Sequence, residues 1–272
     1  NSCANITGTG ASLGLGSHNY SATAKDKAGN SADANTTVQV IDVTAPNIVP
    51  TVTGDLVNGW YKSNVTVSWS VTDGESAVSA SSGCGVSTVT TDGTNHTFTC
   101  NATSAGGSDS KSVTFKRDAT VPTVTYTGNA GSYSIDQNVA IACTSSDNLS
   151  GVATSSCASV NGAAYTFSLG ANSFSASATD HAGNTGNGST SFTVTVSNET
   201  LCTLTRSLVT KTGTANSLCA KLDAAAASAA RGNTNASQNQ LNAFINEVSA
   251  QTDKSITAAN AAILTTLAKA LM

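Results

Sequence analysis

At 272 residues the chain has room for two or three small domains. Only 10% of its residues are charged, against roughly 25% in an average soluble domain, and the formal net charge is −4 with a pI near 5.2. That balance supplies no basic footprint for nucleic acid, and no apolar run is long enough to span a bilayer, which argues against nucleic-acid and membrane-spanning roles.

Sequence markers recur about every 77 residues, the sign of an array of small domains. The turn Asp26-Lys27-Ala28-Gly29-Asn30 returns as Asp180-His181-Ala182-Gly183-Asn184, with a degraded copy, Ser104-Ala105-Gly106-Gly107, between them. Likewise Asp42-Val43-Thr44-Ala45-Pro46 returns as Asp118-Ala119-Thr120-Val121-Pro122. These markers divide the chain into a partial repeat at 1–45, full repeats at 46–121 and 122–197, and a different segment at 198–272.

The first repeat carries only the later strands of a unit, including Tyr20 to Ala24 and Thr37 to Val40. About 30 residues, two strands' worth, are missing from its front. Half a sandwich exposes an apolar face and an unpaired edge. Three readings stand: completion by an upstream part of a larger protein, a strand donated by a neighbouring copy, or a partly disordered tail. With no signal peptide and Asn1 in first place, the chain reads as processed or partial. Gly10 to Gly16 and Gly106-Gly107 read as turns and not phosphate loops, because no helix is expected after them.

In the second repeat Val65 to Val71 alternates apolar and polar residues, the period of a strand with one buried face. Phe98 to Ala102 and Val113 to Phe115 repeat the pattern; the third repeat answers with Val139 to Cys143, Phe174 to Ala178 and Phe192 to Val196. Several short alternating strands per repeat predict a β-sandwich. After Asn198 the spacing turns helical: Leu201, Leu204 and Leu208 form a stripe ended by Gly213, and Leu218 and Leu222 open a second that stops at Gly232. Leu241, Phe244, Ile245 and Val248 form a third, and Ile263, Leu264, Leu267 and Leu271 a fourth with Thr257 as N-cap. The fold class is thus mainly β, tandem sandwiches followed by a small helical bundle.

Seven cysteines without metal-ligand spacing read as disulfides formed outside the cytosol. Repeat alignment pairs Cys143 with Cys157 and Cys84 with Cys100, and helical placement pairs Cys202 with Cys219. Cys3 aligns with Cys157, and it is expected to be either unpaired or joined to a cysteine upstream or on another chain. Each closed loop is around 15 residues, for which the chain-entropy estimate is about 3 kcal/mol.

Residues 46–122, with Asn58-Gly59-Trp60-Tyr61-Lys62-Ser63-Asn64-Val65-Thr66-Val67-Ser68-Trp69 and the Asp-to-Pro linkers, resemble the bacterial immunoglobulin-like repeats of secreted and surface proteins. Gln240 to Val248 is similar to the helical FIMAH module that closes many secreted bacterial proteins. The resemblance implies an extracellular, modular protein, and implies no reaction.

Candidate chemistry is sparse. His18, His96 and His181 are far apart without a companion Cys or carboxylate at ligand spacing, and no strand-to-helix nucleophile turn occurs, so no enzyme activity is expected. Asp42, Asp73, Asp118, Asp147 and Asp180 recur near linkers and loop ends; they either cap turns or, as the alternative, bind calcium, and no other cofactor is expected. Trp60-Tyr61 reads as a cover for the sandwich core or, as the alternative, a platform for a surface glycan. The expectation is an extracellular stalk or filament segment whose partners are an upstream part of the same protein or neighbouring copies. The alternative is a non-catalytic, glycan-binding tail of a larger secreted enzyme or adhesin.

Overall fold

The computed structural model describes residues 5–272; Cys3 lies outside them. The chain divides into two compact units, residues up to 120 with 181–184, and residues 121–180 with 185–272.

The first unit begins with a one-turn helix, α1 (Gly10–Leu13), and a hairpin of β1 (Gly16–Lys25) and β2 (Ser31–Val40). The helical turn departs from the expectation of plain turns here: Thr9 enters it in extended conformation and Gly14, at φ 75°, ends it after four residues. The hairpin stands as a sheet of two strands. Its connection is tied by Asp26, whose carboxylate accepts the Asn30 backbone N–H and side-chain amide, each at 2.8 Å.

The second repeat supplies β3 (Asn47–Thr53), β4 (Leu56–Val57), β5 (Trp60–Tyr61), β6 (Val65–Thr72), β7 (Ala80–Ser82), β8 (Ser87–Val89), β9 (Gly93–Ser104) and β10 (Gly107–Arg117). They form a five-stranded sheet, β4-β5-β10-β9-β7, and a three-stranded sheet, β3-β6-β8. Alternation along β6 sends Val65 and Val67 inward, where they meet Val89 and Phe115. Arg117, at the end of β10, is buried and pairs with Asp92 while donating Nε to the Ser63 carbonyl at 2.9 Å and Nη2 to the Asn64 side chain at 3.0 Å.

The third repeat builds the same plan with β11 (Thr123–Thr127), β12 (Ser132–Ser134), β13 (Asn138–Ser146), β14 (Val152–Ser155), β15 (Val160–Ala163), β16 (Gly170–Asp180) and β17 (Thr185–Thr195). Sheet orders are β12-β17-β16-β14 and β11-β13-β15. Gly186 admits no side chain, since a Cβ there would sit 1.7 Å from the Pro122 carbonyl oxygen. The fold is mainly β with immunoglobulin-like sandwiches, followed by four helices.

Those helices are α2 (Asn198–Leu208), α3 (Thr212–Ala230), α4 (Thr234–Gln251) and α5 (Ala258–Lys269). Ser197 and Thr200 form a capping box at the start of α2, and the side chains of Asn233 and Thr257 cap α4 and α5. Gly232, at φ 73°, follows the end of α3 as expected of a C-terminal glycine. Gly213 is different: it lies in the first turn of α3 and not after α2, which ends earlier with Val209 as its C-cap in extended conformation.

The sequence boundary at 197/198 marks a change of secondary structure and not of packing. Tyr133, Ile135, Val139, Ile141, Phe192 and Val194 of the sandwich belong to one continuous buried cluster with Leu201, Leu218, Leu222, Leu241, Phe244 and Leu264 of the helices. The third repeat and the bundle therefore share a core, larger than a sandwich this short would own alone.

Candidate functional site

Three disulfides join Cys84 to Cys100, Cys143 to Cys157 and Cys202 to Cys219, with Cα separations of 4.6, 5.6 and 5.0 Å. The two in the sandwiches cover thin parts of their folds. Cys100 is buried beside Ile48 and Ala102, and Cys143 and Cys157 pack on Val124, Ala176 and Ala178. Where the inward residues are alanines, the apolar area is small and the covalent link supplies what packing does not. Cys202 and Cys219 fasten α2 to α3 inside the shared core.

The linker between the first two repeats forms a polar cluster in the first unit. Asp42 is buried; its Oδ1 accepts the Thr44 N–H at 3.0 Å, and its Oδ2 accepts the Ser76 hydroxyl at 2.5 Å and the Ser104 hydroxyl at 3.5 Å. Asp73 Oδ1 accepts the N–H groups of Glu75 and Ser76, both at 2.9 Å, and Glu75 accepts the Thr44 hydroxyl. Gly106 lets the β9–β10 turn close on this linker, because a Cβ there would lie 2.1 Å from the Thr44 carbonyl oxygen. The hydroxyl of Ser76, followed by the Thr44 N–H, holds the Asp42 carboxyl at about 2, and the N–H groups of Ser76 and Glu75 lower that of Asp73.

Asp42, Asp73 and Glu75 each place one carboxylate oxygen within 4.8 Å of the other two, so they are the residues of this unit that could hold a cation. Their contacts are those of turn capping: N–H and O–H donors already occupy Asp42, Asp73 Oδ1 and Glu75. Asp73 Oδ2 is buried without a hydrogen-bond partner. Three such oxygens fall short of the six to eight that calcium takes, and the donors around them do not by themselves call for the ion. Asp118 and Asp147 also cap turns: Asp118 Oδ1 accepts the Thr120 N–H at 3.0 Å, repeating the Asp42–Thr44 turn, and Asp147 Oδ1 accepts the N–H groups of Leu149 and Gly151 at 3.1 and 2.6 Å.

The capped linker has a pH signature. A carboxyl whose folded pKa lies below its unfolded value adds stability above the unfolded value, and that contribution is lost as pH falls through the folded one. For Asp42 the window runs from about 4 down to about 2. The first unit should lose urea resistance across it, and Asp42→Asn should flatten that part of the profile while lowering the midpoint at pH 7.

Trp60 and Tyr61, read from the sequence as a cover for the sandwich core or a platform for a glycan, lie against the sandwich. Trp60 is buried, with the Lys116 ammonium 4.6 Å from its ring centroid, and Tyr61 meets Phe115 edge-on at 5.5 Å. Both lie on β5, which pairs in parallel with the end of β10, with Trp60 buried and Tyr61 half-buried. Of the histidines, His18 lies on β1 with Nε2 2.9 Å from the Gly14 carbonyl, His96 tilts against Phe115 at 5.6 Å, and His181 sits in the turn after β16. The role of Arg117 was missed from sequence, where a Lys-Arg pair at a strand end reads as solvated surface.

The family model described as the FIMAH domain matches residues 206–272, from the last turn of α2 to the end of the chain. A comparison with curated proteins gave no match. Among solved structures, the fibronectin(III)-like modules of Clostridium thermocellum CbhA are 15% identical, with 54% of this chain and 95% of that chain covered and a TM-score of 0.24. Protocadherin gammaB7 EC3-6 is 16% identical, with 68% and 59% covered and a TM-score of 0.29. Protocadherin Gamma B2 extracellular cadherin domains 3-6 are 15% identical, with 67% and 58% covered and a TM-score of 0.27. The chain thus spans less than two thirds of either protocadherin chain. At these scores the sandwich assignment rests on strand order and register.

Proposed function

We propose that the chain is an extracellular structural segment, a non-catalytic stalk or filament element in which disulfide-clipped sandwiches keep spacing under load and the helical module closes the array. The observation that carries this reading is one clip in each described sandwich and one in the bundle, each closing a loop of 14 to 17 residues. Disulfides of this density belong to oxidising compartments. Hydrogen-bonded ladders support the same use: β9 and β10 share a register that runs from Gly107↔Ser104 to Phe115↔His96. No helix of the described residues is long and apolar enough to cross a membrane.

The location is tested by alkylation in native material. Cells expressing the whole protein should show Cys84, Cys100, Cys143, Cys157, Cys202 and Cys219 refusing an impermeant thiol reagent until reductant is added, in a surface or culture-fluid fraction. Six freely alkylated thiols in a cytosolic fraction would reject the extracellular assignment.

A further inference from the structure

Leu15, Ile41 and Val43 are large apolar side chains left exposed, at 45, 64 and 71%, and they meet at one place in the first unit. Together with Val40, the last residue of β2, they wall a cavity of about 350 Å³. Gly14 and Gly74 line it as well, and a Cβ on either would meet nothing within 4 Å, so the space is open and not a packing seam. Apolar side chains gathered round a concavity, unlike those scattered singly, mark a binding surface.

One wall is charged. Glu75, in the loop that leaves β6, lines the cavity, and no other lining residue carries a charge. Its carboxylate accepts the Thr44 hydroxyl and lies within 4.8 Å of carboxylate oxygens of Asp42 and Asp73. No basic group answers these three charges, since the ion pairs among the described residues are Arg117–Asp92 and Lys221–Glu247. The neighbouring charge that acts on Asp73 is the like charge of Asp42. An aliphatic wall thus adjoins an unbalanced negative end.

We infer that this cavity is a docking site for a lysine side chain of a partner polypeptide. Charge and shape both select it. The four-carbon stem lies along Leu15, Val40 and Ile41, while the ammonium keeps part of its hydration and meets Glu75. Asp42 and Asp73 add to the attraction through their field, without touching the ligand. A calcium ion gains nothing from the aliphatic wall and lacks the oxygens it needs. A neutral apolar group leaves Glu75 without a counter-charge. Val43, the most exposed of the three, offers area to an apolar residue beside the lysine, which separates a polypeptide from a free amine.

The test is a methyl NMR titration of the full chain with a capped Val-Lys-Val peptide. Saturable shifts are expected at Leu15, Val40, Ile41 and Val43, with the buried Val65 and Val67 unmoved. The same peptide with norleucine in place of lysine, and free n-butylammonium, are each expected to bind at least about 10-fold more weakly, and Glu75→Gln to weaken the lysine peptide by the same factor. Ile41→Ser, which alters the aliphatic wall, is expected to weaken it similarly and decides the matter if Glu75→Gln disturbs the core signals. Equal binding of the norleucine peptide overturns the recognition of charge, and equal binding of n-butylammonium overturns the polypeptide as occupant. Calcium chloride that moves the same methyl signals and displaces the peptide makes this a metal site and overturns the inference. So does a titration without saturable shifts.

Discussion

Phe244→Ala is expected to lower the unfolding free energy of the second unit by about 3–5 kcal/mol, the cost of emptying a buried aromatic site. Phe244 is fully buried on α4, in the cluster that runs from Leu201 and Leu222 to Val139 and Val194 of the sandwich. Because the cluster is continuous, the effect should not stay in the helices. Far-ultraviolet dichroism at the helical band and the ring NMR signals of Tyr133, which packs edge-on against Phe192 at 5.3 Å, should report one shared transition shifted to lower denaturant. Two separate transitions, with only the helical one shifted, would mean that the bundle and the third sandwich fold independently.

The second large effect belongs to the clip in the third repeat. Replacing Cys143 and Cys157 by Ala should cost about 3 kcal/mol through the freed loop, before any loss of packing is counted. The loop spans 14 residues, and the cluster it closes holds Ala176 and Ala178 where the facing end of the sandwich has Phe174 and Phe192 stacked at 5.9 Å. Small side chains leave little apolar area to compensate. Urea unfolding of the double variant, followed by the ring NMR signals of Tyr133, checks the size; a change below about 1 kcal/mol would show that the link is ornamental at this site.

The strands were legible because their alternation is strict. Val65 to Val71, Phe174 to Ala178 and Phe192 to Val196 have no competing helical period, and the structure places strands on all three. The disulfides of the two sandwiches sit at different places, Cys84–Cys100 on β9 of the second repeat and Cys143–Cys157 on β13 of the third. Three features were hidden. Gly213 reads as a helix stop in one dimension, but in the first turn of α3 it is tolerated because the helix is held by packing of Leu218 and Leu222. The shared core depends on which faces meet, which spacing alone does not encode. The linker cluster joins Asp42 to Ser76 and Ser104, 34 and 62 positions away, and only the close approach allowed by Gly106 brings them together.

The central claim is mechanical, and pulling on the chain from its two ends tests it most directly. Loops of 16, 14 and 17 residues are locked behind the three disulfides. At about 3.4 Å per residue each hides roughly 50 Å of length. Under oxidising conditions the account predicts discrete rupture events as the sandwiches open, and after reduction the same events with about 150 Å more total extension. A chain that lengthens smoothly without rupture events, or one whose extension is the same before and after reduction, would contradict it.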